Sequence, residues 1–335
     1  MFAFDGTRND ASTRTNIWKL SQRYHDGPVA YEGGPGNPYT TDWDAITAYS
    51  APRILDAQWQ ALLDTLAATP VDPKQAVPID IIGYSRGAAL ARHFGNQVSQ
   101  YLSNGQFSYH DQQRGLITAC VDLRFMGVFD TVAQFGLNGS GNSAYDLTVD
   151  AGWQWVAHAV ALHERRWLFP LTSAADTQAG NVVEAAFVGA HADIGGGVFF
   201  DSDGQGSQRG DLSDISLNWM LWQARAAGVA FGEGSADDAV VSAPYLHDDR
   251  NSTLRALQNG DRGVDRANGQ LWHNYQDDTP RLGRTTREAT ETFIRRYDDW
   301  RRLPGNEVGT VDMQAYSHWL EQTLGTTVAG DSRYH

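Results

Sequence analysis

The pentapeptide Gly83-Tyr84-Ser85-Arg86-Gly87 constrains this chain more than any other segment, because it stands between the apolar run 77–82 and the helix-forming stretch 88–94. A buried strand, a sharp turn and a helix are predicted there. Such a turn pushes the hydroxyl of its central serine out at the carboxyl end of a strand, and the flanking glycines allow strained backbone angles and close helix packing. Ser85 is therefore read as a nucleophile at a strand end. The blander reading is a glycine turn with a passive serine.

A chain of 335 residues with 41% hydrophobic and 11% aromatic content can bury a full-sized core. Its net charge of −14 excludes the basic face that a phosphate backbone requires, and no run of five Lys or Arg occurs, so no nucleic-acid partner is expected. The same charge disfavours adsorption to an anionic bilayer, so contact with a membrane surface has to come from apolar surface or a delivery partner. Cys120 is the only cysteine, which rules out an intrachain disulfide and a thiolate metal cluster and suggests a small buried hydrophobe. No apolar stretch reaches the length of a membrane span, and the amino terminus lacks a Sec-type signal. A soluble chain, cytoplasmic in the producing cell, is expected.

Along the chain, 2–4 reads as a short strand ending in the glycine turn Asp5-Gly6-Thr7, and the Gly- and Pro-rich stretch 28–40 as an irregular loop. Residues 42–68 carry helical spacing, with Ile46, Tyr49, Ile54, Trp59, Leu62, Leu63 and Leu66 on one apolar stripe. Strands are predicted at 123–129, ending in Asp130, and at 182–189, ending in His191, with a helix over 153–167 between them. Alternating strands and helices imply an α/β fold, a mostly parallel sheet with helices on both faces. Beyond the polar loop 201–210 the strand signal fades, and helices are predicted at 212–227, 287–300 and 313–324. A single domain over 1–335 is expected, with its core at about 1–200 and a mainly helical carboxyl-terminal part at about 211–335.

A serine hydroxyl needs a general base in reach and an acid to orient that base. Asp130 and His191, each at a strand end after the elbow, supply both in the order serine, acid, histidine. Asp193 and Asp248 are alternative acids, and His163, His247 and His273 alternative bases. Asp130 could instead cap a helix and His191 could be a satisfied core histidine. For an oxyanion hole, the amide of Arg86 is one expected donor and the Gly6–Thr7 turn the other, with Asp5 bracing that turn. The acidic loop Asp201-Ser202-Asp203-Gly204 lacks the distal glutamate of a calcium hand, and neither a metal nor a cofactor is expected.

Taken together, the blocks at 4–9, Gly83-Tyr-Ser-Arg-Gly-Ala88, Gly127-Val-Phe-Asp-Thr-Val132 and 187–197 resemble the α/β-hydrolase family that includes the catalytic domain of type VI secretion phospholipase effectors. His163-Glu-Arg-Arg166 and Leu246-His-Asp248 are similar to further family blocks, while the carboxyl-terminal third matches poorly. The resemblance implies a serine esterase cleaving a fatty acyl ester of a glycerophospholipid, with Ser85, Asp130 and His191 as its triad. It also implies contact-dependent export, with a secretion apparatus and an immunity protein as partners. A general carboxylesterase acting on soluble or polymeric esters, and a non-catalytic binding module using some of the 11 Trp, are the other readings.

Overall fold

The computed structural model describes residues 1–37, 41–69, 76–161, 164, 166, 168–174, 182–187, 189–197, 211–234, 245–247, 263–265, 271–273 and 329–330. Its centre is an eight-stranded sheet. Strands β1 (Phe2–Phe4), β2 (Ala30–Glu32), β3 (Val77–Tyr84), β6 (Gly115–Phe129), β7 (Trp155–Ala161) and β9 (Val182–Phe187) run parallel in the order β2-β1-β3-β6-β7-β9. The amino-terminal half of β6 continues past β3 and pairs antiparallel with β5 (Gln106–Asp111), which pairs with β4 (Leu102–Ser103). A two-residue strand β8 (Leu171–Thr172) lies outside this sheet.

Helices cover both faces. On one side α3 (Ala51–Ala68) and α4 (Arg86–Ser99) bury Ile54, Leu62, Leu63, Leu90 and Phe94 against Ile79, Ile81 and Val128. On the other, α1 (Asn16–Arg23) and α6 (Asp211–Ala226) bury Ile17, Leu20, Leu217 and Met220 against Ile82, Phe125 and the alanines of β7. Short helices α2 (Asp42–Thr47) and α5 (His191–Gly195) sit at the carboxyl ends of the strands. The α/β class and the parallel sheet expected from the sequence are those observed.

Several expectations need correction. The stretch 153–167, predicted as a helix, contains β7, a fully flanked inner strand whose Val156, His158 and Val160 alternate with Ala157, Ala159 and Ala161. The predicted helix 42–68 is broken at Ala48, whose φ of 55° is left-handed, and Asp44 fixes the break by accepting from Ser50 N at 2.8 Å and Ser50 Oγ at 2.7 Å. The break turns Ile46 and Tyr49 out to solvent, 52% and 55% exposed, while the rest of the stripe is buried. Strand β2 lies inside the predicted loop 28–40, and the β5–β6 hairpin was not expected. Cys120, on β6, is only half-buried. Helix α6 matches the prediction, whereas those at 287–300 and 313–324 lie outside the described residues. Four short strands, 245–246, 263–265, 271–273 and 329–330, stand where none were predicted.

Among the described residues no helix is long and apolar enough to cross a membrane.

Candidate active site

The turn between β3 and α4 shows why both motif glycines are needed. A Cβ on Gly83 would lie 2.7 Å from Ala88 Cα, and one on Gly87 would overlap the carbonyl oxygens of Phe4 and Asp5 at the end of β1. Helix α4 therefore packs directly on the sheet. Ser85 takes φ 59° and ψ −125°, a conformation that an L-residue holds only when its surroundings enforce it. Its amide donates to Phe129 O at 3.0 Å and its carbonyl accepts from Val132 N at 3.3 Å, tying the turn to the end of β6.

Three strand ends meet here. Ser85 follows β3, Asp130 follows β6, and His191 opens α5 beyond β9. His191 is thus not on the next strand after Asp130, as the sequence suggested, because β7 intervenes. Its Nδ1 lies 2.6 Å from Asp130 Oδ2 and its Nε2 lies 2.8 Å from Ser85 Oγ. An ionised carboxylate only accepts hydrogen bonds, so Nδ1 carries the proton and Nε2 presents a lone pair to the serine hydroxyl. The second oxygen of Asp130 accepts from Ala161 N at 2.9 Å. The imidazole lies near the Tyr84 ring at 4.7 Å and edge-on to Phe169 at 5.1 Å, while its backbone amide donates to Glu164 Oε2 at 3.3 Å. All three polar side chains are buried, yet Ser85 and His191 line a cleft of about 530 Å³.

The other sequence candidates fall differently. Asp193 accepts from Ala190 N at 3.0 Å and His247 N at 3.0 Å, and its other oxygen pairs with His247 Nδ1, so this acid and this histidine serve each other. Asp248, His163, Asp201 and Asp203 lie outside the described residues. The amide of Arg86, in the first turn of α4, has no intrahelical acceptor. Its guanidinium lines the cleft and donates from Nη1 to Ala45 O, and burial lowers its pKa to about 10. Gly6 donates its amide to Asp5 Oδ1 at 2.7 Å, which leaves Thr7 as the better placed member of that turn. The Thr7 hydroxyl is buried without a hydrogen-bond partner, and the residue lines the cleft.

Asp5 braces the turn, as the sequence suggested. Its Oδ2 accepts from Thr15 Oγ1 and Tyr31 OH, both at 2.6 Å. Burial pushes this carboxyl up to about 6 from its usual 3.8, against the opposing hydrogen bonds. The folded state thus binds this proton more tightly than the unfolded chain does. The resulting contribution to stability is complete below pH 3.8 and is lost as pH rises through about 6. Asp5→Asn is expected to remove this component, so that unfolding free energy falls less between about pH 4 and about pH 7 than in wild type. Urea denaturation at both pH values checks it, and an unchanged difference would contradict it.

Sequence reasoning missed the groups around the imidazole. Glu164 holds the His191 amide and pairs with Arg166, whose guanidinium sits 3.6 Å over the Phe169 ring. The only signal was the charged block 163–166.

Residues 95–223 match the model of the type VI secretion phospholipase effector Tle1-like catalytic domain. The resemblance drawn from the sequence blocks is thereby supported, and this segment is similar to the catalytic domain of a family of ester hydrolases. The match begins after Ser85. Among solved structures, an uncharacterized protein from Pseudomonas aeruginosa is 21% identical, with a TM-score of 0.49 over 69% of this chain and 46% of that one. The Tle1 effector bound to the VgrG spike of the type VI secretion system is 18% identical, with a TM-score of 0.48 over 77% of each chain. The chain thus spans less than half of the first of these structures. No curated protein matches.

Proposed function

We propose that the protein is a serine ester hydrolase of phospholipase A type, cleaving a fatty acyl ester of a glycerophospholipid. The observation that carries this reading is the unbroken chain Ser85 Oγ to His191 Nε2, and His191 Nδ1 to Asp130 Oδ2, at the wall of an open cleft. The family match at residues 95–223 supports the choice of a phospholipid. Ser85 Oγ attacks the acyl carbonyl carbon while His191 Nε2 takes its proton, and Asp130 stabilises the imidazolium. The amides of Arg86 and Thr7 hold the developing oxyanion. His191 then returns the proton to the departing lysophospholipid oxygen. Water, deprotonated by the same imidazole, releases the fatty acid and restores Ser85.

The family match also motivates export by a type VI secretion apparatus and neutralisation by an immunity protein as parts of the same proposal. Fatty-acid release from phospholipid vesicles, with a short-chain soluble ester in parallel, tests the substrate. Vesicle hydrolysis is expected. Hydrolysis of the soluble ester alone would replace the phospholipase with a general carboxylesterase, and activity on neither would leave a binding module on a hydrolase scaffold.

A further inference from the structure

A second buried acid–imidazole pair stands beside the first. His158 on β7 and Glu184 on β9 are direct register partners, and both are fully buried. His158 Nδ1 lies 2.9 Å from Glu184 Oε2, and the same carboxylate accepts from Ser173 Oγ at 2.8 Å and Ala174 N at 2.6 Å. Burial would raise the Glu184 pKa, but these donors outweigh it and hold the group below its usual value. On its other side, His158 Nε2 accepts from Thr131 N at 3.1 Å. An amide can only donate, so the proton sits on Nδ1 and faces Glu184. The opposite tautomer would set two N–H groups face to face.

Thr131 is the residue after Asp130, and its carbonyl is held as well, accepting from Thr172 N at 2.9 Å. Arg92, fully buried, then clamps the Thr172 and Ser173 carbonyls at 2.8 and 3.1 Å. Thr131 is thus held at both its amide and its carbonyl. Asp130 itself has φ 39°, a left-handed conformation that an L-residue keeps only where its surroundings over-determine it. A buried carboxylate with its hydrogen-bonded imidazole is a poor device for stability alone, since well-packed apolar residues of equal volume often do as well or better.

We propose that His158 is a positioning residue. Through the Thr131 amide it holds Asp130 in the strained conformation that aims its carboxylate at His191, and Glu184 fixes the His158 tautomer that can accept that amide. The proposal rests on the reading of Ser85, His191 and Asp130 as a triad.

The test compares His158→Phe, His158→Gln and Glu184→Gln with wild type. In His158→Phe, kcat on a soluble ester is expected to fall about 30-fold or more with KM nearly unchanged, because small displacements of a catalytic group cost that much. The acid limb of its kcat/KM profile should move to lower pH as the Asp130–His191 pairing weakens. His158→Gln, whose amide oxygen can accept from Thr131, should recover most of kcat. A downfield proton resonance of His191 Nδ1–H is expected in wild type, and it should shift or broaden in the Phe variant and return with Gln. That resonance does not depend on turnover, so a wild type that hydrolyses no ester would sink the proposed function and still report on His158. A folded His158→Phe with unchanged kcat, pH profile and resonance would overturn the inference. If the Phe variant does not fold, Glu184→Gln decides. A fall in kcat of about 10-fold with the same acid-limb shift is expected there, and a folded variant with neither would overturn it.

Discussion

Exchange of Ser85 for Ala is expected to lower kcat for ester hydrolysis by about 10⁴-fold or more, and His191→Ala by a similar factor. The double variant should lose no more than either single one. The reason is that the two side chains act as a unit: with Ser85 Oγ at 2.8 Å from His191 Nε2, removing the base leaves a neutral hydroxyl, and removing the hydroxyl leaves a base with nothing to deprotonate. Residual activity would come from the oxyanion donors and the cleft, which both exchanges leave in place. Steady-state kinetics on a soluble ester, with thermal unfolding to show that the fold is retained, measures all three. Losses that multiply in the double variant would mean that the two residues do not share one step.

Gly87→Ala should lower activity by a smaller factor and should also cost stability. Gly87 lies in α4, where alanine is favoured over glycine by about 1 kcal/mol on helix propensity alone, so a gain is the first expectation. The sheet reverses the sign. The added methyl would overlap the carbonyl oxygens of Phe4 and Asp5, which are backbone atoms of a buried strand and its following turn and cannot rotate away. Overpacking of this kind costs about 1–3 kcal/mol or more, so net destabilisation of at least about 1 kcal/mol is expected. Relief comes only by lifting α4 away from β1, which moves Ser85 from His191 and the Asp5–Thr7 turn from the cleft. A displacement near 1 Å would lower kcat/KM by about 10²-fold. Urea midpoints and kcat/KM decide it, and a variant equal to wild type in both would show that the helix does not need this close approach.

The meeting of Ser85, Asp130 and His191 was legible in the sequence because each of them ends or follows an apolar run, and parallel strands bring their carboxyl ends together. The elbow was legible for the same reason, with its glycines marking close backbone approach. Strand β7 was not. Its residues Ala157, Ala159 and Ala161 are good helix formers, and only their position between β6 and β9, under α5 and α6, makes small side chains the right choice for a strand. Strand β6 hid its length because its two halves differ. The half paired with β5 alternates buried and more exposed residues, while the last five residues, 125–129, are all buried.

The Glu184–His158 pair was hidden by the same error. With β7 read as a helix, His158 had no register partner, although a glutamate inside the apolar run Val182–Phe187 was a signal that something polar faced it. Ile46 and Tyr49 fitted a helical stripe, and nothing in their spacing revealed that Asp44 would stop the helix by binding Ser50.

The most direct measurement on a Ser85 nucleophile is covalent labelling of the intact protein by a fluorophosphonate, with the modified peptide located by mass spectrometry. A single adduct on Ser85, formed rapidly in wild type and slowed by orders of magnitude in His191→Ala, is the predicted result. An adduct on another residue, no adduct, or labelling of Ser85 at the same rate without His191 would contradict it.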